Sequence, residues 1–208
     1  MTKIKVCGIT ESLNASGMVD AGVDMLGFNF YPQSKRFIGV NPEKLFRDIP
    51  DGLTKVGVFV NQNTKLIIQA AKQFHLDFVQ LHGSEKVECC RAIQDAGLKV
   101  IKAFGIDDNF DVTLLKPYLS ACDYLLFDTK HADYGGTGLQ FNWEKLRSYT
   151  LAKDFILSGG IRPQDAESIR LFNHPCFYGV DINSCFEIKP GIKDPVAVKL
   201  FIKTIKNG

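Results

Sequence analysis

Eight short runs of β-branched and aromatic residues alternate with amphipathic stretches along almost the whole 208-residue chain. The runs are IKVCGI from Ile4, MLGFNF from Met25, KVGVFV from Lys55, FVQLHG from Phe78, KVIKAFG from Lys99, YLLFDT from Tyr124, FILSGG from Phe155 and FYGVDI from Phe177. Each is nearly continuously apolar rather than strictly alternating, the pattern of parallel strands covered on both faces. Successive runs start 21 to 31 residues apart, enough for one strand, one helix and two short loops. Right-handed βαβ crossovers repeated eight times close on themselves. No GxGxxG follows the first run, as an open dinucleotide-binding sheet would want. The expectation is a single α/β domain over residues 1–208, a (βα)8 or TIM barrel near the small end of that class.

The intervening stretches read as helices. Ser12 is positioned to cap one that stops at Gly22, and residues 63–74 put Leu66, Ile67, Ala70, Ala71 and Phe74 on one face. A third spans residues 85–96 and ends at Gly97, Pro163 opens another, and the tail from Asp194 carries Val198, Phe201, Ile202 and Ile205 at helical spacing. The two longest intervals owe their length to YPQSKRFIGVN after the second strand and KHADYGGTGLQFN after the sixth. Both follow the C-terminal end of a strand, where barrels of this class build their sites, so both suggest ligand-covering segments.

Composition narrows the function classes. With 25 basic against 23 acidic residues there is no electrostatic footprint for nucleic acid. No apolar run approaches the roughly 18 residues needed to span a membrane, and the first twenty residues do not read as a signal peptide. Six cysteines (Cys7, Cys89, Cys90, Cys122, Cys176, Cys185) form no CxxC pair, which suits reduced thiols in a cytoplasmic protein.

Several polar residues sit where barrel strands end. Cys7 closes the first strand and is either a buried small apolar residue or, as a thiolate, a base or nucleophile. Asp128 follows four apolar residues at the end of the sixth strand, as a general acid or as a carboxylate ordering the GGTG loop. Gly159 and Gly160 after the seventh strand, with Asp181, Asn183 and Ser184 after the eighth, form the two adjacent loops in which such barrels often hold a phosphate. Arg36 in the long second loop could clamp a carboxylate, or lie free at the surface. His82 on the fourth strand and Lys102 on the fifth are further candidates, Lys102 because a lysine inside a barrel can form a Schiff base.

Taken together, these residues resemble the phosphoribosylanthranilate isomerases of tryptophan biosynthesis. The resemblance rests on KVCGIT at 5–10, DAGVDMLGFNFYPQSKRF at 20–37, VGVFVN at 56–61, VQLHG at 79–83 and FDT at 127–129. It continues through GGTG at 135–138, LSGGI at 157–161, GVDINS at 179–184 and PGIKD at 190–194. It implies an Amadori rearrangement of N-(5-phosphoribosyl)anthranilate, with Cys7 as general base, Asp128 as general acid and Arg36 on the anthranilate carboxylate. His82 joins the substrate-binding set, and the phosphate lies against Gly159, Gly160 and the loop Asp181 to Ser184. The implied partner is a small phosphoribosyl substrate, with no metal or organic cofactor, no nucleic acid and no membrane, in a monomer or homodimer.

One departure stands out. Where the family usually reads SSG after the strand-eight GVD, this chain has Asn183, Ser184 and Cys185. A cysteine in place of glycine adds a Cβ and disfavours positive φ, so the loop is expected either to bend or to perturb the phosphate site. The rival readings are another phosphosugar barrel enzyme, such as an indole-glycerol-phosphate synthase or a Schiff-base aldolase centred on Lys102, and a non-catalytic phosphosugar-binding protein. Borohydride trapping with substrate separates the lysine reading, and turnover separates the binding protein.

Overall fold

A computed structural model describes residues 1–49, 52–107, 109–129 and 140–207. The eight apolar runs form eight strands: β1 (Lys3–Cys7), β2 (Met25–Asn29), β3 (Thr54–Phe59), β4 (Phe78–Leu81), β5 (Lys99–Ile106), β6 (Tyr124–Thr129), β7 (Phe155–Leu157) and β8 (Phe177–Ile182). All pair in parallel with their sequence neighbours, and β1 pairs with β8 through Lys5↔Asp181, so the sheet is a closed barrel.

Alternation along each strand separates two cores. Met25, Val56, Phe78, Ile101, Ala103, Leu126 and Ile156 fill the barrel interior, while residues of the opposite parity join the larger layer beneath the helices. The helices of that layer are α1 (Ser12–Ala21), α2 (Glu43–Arg47), α3 (Thr64–Gln73), α4 (Val87–Asp95), α5 (Ala166–Arg170) and α6 (Pro195–Asn207). Gly22 ends α1 at φ 89°, as expected, but Ser12 is the first helical residue and Glu11 occupies the cap position. In α3, Asn63 caps by accepting from the Lys65 N–H at 2.9 Å. Ile67, Ala71 and Phe74 are buried there, whereas Leu66, expected on the same face, is 52% exposed at its margin. In α6 all four expected residues are buried.

The expected helix after each strand fails twice among the described residues. After β5 the chain forms a 3₁₀ segment, Val112–Tyr118, in which Pro117 lacks the N–H that an α-helix needs. After β6 it forms another, Trp143–Ser148, capped by Asn142, whose side-chain oxygen accepts from the Glu144 N–H at 3.0 Å. The long loop after β2 is ordered by its own side chains. Ser34 Oγ accepts from Asn29 Nδ2 at 3.0 Å and from the Arg36 N–H at 3.1 Å, and Phe37 bridges back to Asn29. That fold-back brings Arg36 over the C-terminal rim of the barrel. The expected GGTG segment, residues 135–138, lies outside the described residues. Beyond β8 a two-stranded hairpin, β9 (Glu187–Lys189) and β10 (Ile192–Lys193), packs before α6.

Candidate active site

Lys5 and Cys7 share parity on β1 and both side chains turn into the barrel. They converge beside Gly27 of β2. A Cβ there would lie 2.8 Å from Cys7 Sγ and 2.9 Å from Lys5 Nζ, so the glycine makes room for both. Lys5 Nζ also donates to both carboxylate oxygens of Asp181, each at 2.9 Å, in a pair with almost no solvent exposure. Burial works against the Lys5 charge, but Asp181 and the Cys7 sulfur outweigh it and hold the ammonium above 10.5. Burial pushes the Cys7 thiol up from 9.0, and the pull of Lys5 and Lys193 in the other direction does not offset it. The site therefore does not lower this thiol's pKa as an activated cysteine requires. A thiolate formed here is a stronger base than a free one, with an ammonium in contact to balance its charge.

The acid candidate is held on both oxygens. Asp128 Oδ1 accepts from the Thr129 N–H at 2.8 Å, and Oδ2 lies 3.1 Å from His82 Nε2. Gly159 has φ 90°, a left-handed conformation, and a Cβ there would meet the Thr129 backbone nitrogen at 2.5 Å and Asp128 Oδ1 at 2.9 Å. Glycine at 159 is thus needed for close approach as well as for its dihedral.

Arg36 reaches Glu187 through a two-bond fork, Nε to Oε1 and Nη2 to Oε2, each at 2.7 Å. Its stem crosses Gly8, where a Cβ would be 2.5 Å from Cδ, placing it next to Cys7. Glu187 Oε1 also accepts from Lys193 Nζ at 2.6 Å and from the Gly191 N–H at 3.0 Å, and Lys193 donates to Asn183 Oδ1 at 2.6 Å. Burial pushes the Glu187 carboxyl up, but Arg36 and Lys193 hold it below its usual 4.5.

The sequence from residue 4 to residue 204 matches the family described as N-(5'-phosphoribosyl)anthranilate (PRA) isomerase. The chain belongs to this family. A phosphoribosylanthranilate isomerase of Phocaeicola vulgatus is 43% identical over 203 residues, 98% of this chain and 97% of its own. A crystal structure of phosphoribosylanthranilate isomerase from Thermotoga maritima is 37% identical and superimposes with a TM-score of 0.88 over 100% of both chains. A second, in complex with reduced 1-(o-carboxyphenylamino)-1-deoxyribulose 5-phosphate, is 34% identical with a TM-score of 0.84, again over 100% of both chains.

The residues expected for a phosphoribosylanthranilate isomerase fall into groups at one rim. Cys7, Arg36 and Asn183 surround the end of β1, while Asp128, His82 and Gly159 surround the end of β6. Gly160 and Ser184 sit on the adjoining loops, where Cys185 Sγ lies 3.9 Å from the Gly160 carbonyl. Among described residues only Asn61 and His75 carry a positive φ without being glycine, so Cys185 fits its 3₁₀ turn without the expected backbone strain. Asp181 was expected with the phosphate loop, but its carboxylate faces Lys5. Lys102, the Schiff-base candidate, has outward parity between Ile101 and Ala103. Its Nζ is bound to the carbonyls of Leu81, Gly83 and Ala103 and to Glu85, so it does not face the site.

Three residues of the site were not singled out from sequence. Lys193 lies inside the PGIKD motif without having drawn a role. Gln80 is the one polar residue between Phe78 and Leu81. Glu187 carries no local signal at all.

Proposed function

We infer that this chain catalyses the Amadori rearrangement of N-(5-phosphoribosyl)anthranilate to 1-(2-carboxyphenylamino)-1-deoxyribulose 5-phosphate in tryptophan biosynthesis. The observation that carries the mechanism is the pairing of Cys7 and Asp128 at the ends of β1 and β6, with Arg36 folded back beside the thiol.

Asp128 gives a proton to the ribose ring oxygen. The C1–O bond breaks as the nitrogen lone pair forms C1=N, leaving a protonated Schiff base. Cys7, as thiolate, removes the C2 proton, and that electron pair forms C1=C2 while nitrogen recovers its lone pair. The enolamine then loses its hydroxyl proton and gains one at C1, giving the ketone. Once Asp128 has lost its proton, the His82 and Thr129 donors already face its two oxygens, so little reorganises. Arg36, with Nε and one Nη2 hydrogen committed to Glu187, keeps its Nη1 group for the anthranilate carboxylate. The bare backbone at Gly159 and Gly160, with the Asn183–Ser184 loop opposite, suits a phosphate.

No helix among the described residues is long and apolar enough to cross a membrane, and all six cysteines are free thiols, which supports a cytoplasmic setting. The acid, base and clamp all come from one chain, so assembly as a monomer or a homodimer leaves the chemistry unchanged. The test is loss of anthranilate-type fluorescence from freshly formed phosphoribosylanthranilate. Wild type should turn over, and Asp128→Ala and Cys7→Ala should each fall roughly a hundredfold or more. Near-native turnover by either variant would remove that residue from its role.

A further inference from the structure

Gln80 is fully buried inside the barrel and its position is difficult to explain by stability. Its side-chain nitrogen lies 2.8 Å from His82 Nδ1, while its side-chain oxygen has no hydrogen-bond partner among the described residues. An unpaired buried amide oxygen is costly, and an apolar side chain of the same shape would avoid that cost. The hydrogen bond to His82 is what the residue supplies. With the amide in this orientation its NH₂ donates, so Nδ1 accepts and carries no proton. The single ring proton of a neutral His82 is then on Nε2, directed at Asp128 Oδ2 3.1 Å away.

We propose that Gln80 is a positioning residue for the isomerisation: it fixes the tautomer and plane of His82, and through His82 the orientation of Asp128. The inference rests on Asp128 being the general acid. With Nε2–H donating to Oδ2 and the Thr129 N–H donating to Oδ1, the carboxyl is restrained from both sides. Without Gln80 the ring can rotate, or carry its proton on Nδ1, and Nε2 then no longer donates to Asp128. Misdirection of an acid by one tautomer change lowers the chemical step while leaving substrate affinity alone.

The test uses the full chain and the substitution Gln80→Met, which keeps the length and volume of the side chain and removes the unpaired oxygen. Removing the unpaired oxygen offsets the lost hydrogen bond to His82, so the denaturation midpoint should stay close to that of wild type. Nitrogen-15 chemical shifts of His82, assigned by comparison with His82→Asn, should show a protonated Nε2 and a bare Nδ1 in wild type. In Gln80→Met they should show a mixture of tautomers. With substrate, kcat should fall about tenfold or more, short of the roughly hundredfold loss expected when the acid itself is removed, with KM changed less than about twofold. A wild-type His82 protonated on Nδ1 overturns the proposal. So does a folded Gln80→Met that keeps wild-type kcat. Should Asp128→Ala retain turnover while the His82 shifts behave as described, the acid assignment fails and the positioning of His82 stands.

Discussion

Replacing Glu187 by glutamine removes one negative charge from beneath two cations. The carboxylate accepts from Arg36 Nε and Nη2 at 2.7 Å, from Lys193 Nζ at 2.6 Å and from the Gly191 N–H at 3.0 Å. Glutamine keeps the shape but turns one oxygen into an NH₂ group facing donors. Arg36 can recover some hydration at the rim, where its side chain is 11% exposed, but Lys193 is completely buried. Breaking a buried pair on one side costs about 3–5 kcal/mol. The upper end has a physical ceiling. Lys193 can shed its proton, and for an ordinary lysine near 10.5 that costs roughly 4.8 kcal/mol at pH 7. Burial already lowers this lysine's pKa, so the true ceiling is lower. Urea denaturation followed by fluorescence of the single tryptophan, Trp143, should therefore show a loss of about 3–4 kcal/mol. Adding Lys193→Met removes the stranded charge, and the double variant should recover at least about 1 kcal/mol relative to additivity. The pH dependence has a definite sign. Glu187 has its folded-state pKa below 4.5, so its stabilisation is complete above that value and is lost as pH falls through the folded pKa. Glu187→Gln should lack that component of acid unfolding. Because Arg36 loses its anchor, KM should rise more than kcat falls. A variant within about 0.5 kcal/mol of wild type, with unchanged KM, would refute the claim that Glu187 holds the clamp.

The other predictions concern the acid and the thiol. Gly159→Ala forces a Cβ against Thr129 at φ 90°, so it should cost about 1–2 kcal/mol from the dihedral alone, and kcat should drop because Asp128 Oδ1 is displaced. A thermal midpoint and kcat equal to wild type would show that the loop relaxes freely. Iodoacetamide labelling of Cys7, followed by mass spectrometry of the peptide, should be very slow at pH 7 and climb above pH 9, because burial raises the thiol's pKa from 9.0. Lys5→Met should move the climb to still higher pH, and a full labelling rate below pH 8 would contradict the burial argument.

The barrel is legible in the sequence because each strand, covered on both faces, leaves an uninterrupted apolar run. That same uniformity hides which parity faces inward. Lys102 sits between Ile101 and Ala103, both interior, yet nothing local distinguishes its outward position from an inward one. Cys7 and Asp128 are legible because polar groups that end such runs must fall at the rim. Leu66 was misplaced because it lies at the edge of the apolar arc of α3, where spacing alone cannot separate buried from exposed. Glu187 could not be read at all. Its partner Arg36 is 151 residues away, and the hairpin that presents it depends on β8 reaching the same rim as the loop after β2. For Cys185 the residue type alone suggested strain, but strain depends on the local dihedral, and the 3₁₀ turn after Asn183 keeps it out of the positive-φ region.

Met25, Val56, Phe78, Ile101, Leu126 and Ile156 make the apolar part of the barrel interior. Lys5–Asp181 is set into that same interior, with Lys5 in register with Met25, and Gln80 lies two residues along β4 from Phe78; Lys193–Glu187 joins them from the hairpin after β8. Ion pairs buried this deeply seldom stabilise a fold better than well-packed apolar residues would, and Gln80 leaves an oxygen unsatisfied. If stability alone governed these positions, leucine and methionine would serve. What the polar groups provide is direction. Lys5 is fixed by two oxygens beside the thiol, Arg36 is fixed by a fork beside the same strand end, and Asp128 is gripped on both oxygens. An Amadori rearrangement moves protons at two different atoms of one small sugar, so acid, base and carboxylate clamp must keep their separations to within a fraction of an ångström. The polar groups set into the barrel are therefore held for position, and the apolar side chains packed around them supply the rigidity that position depends on.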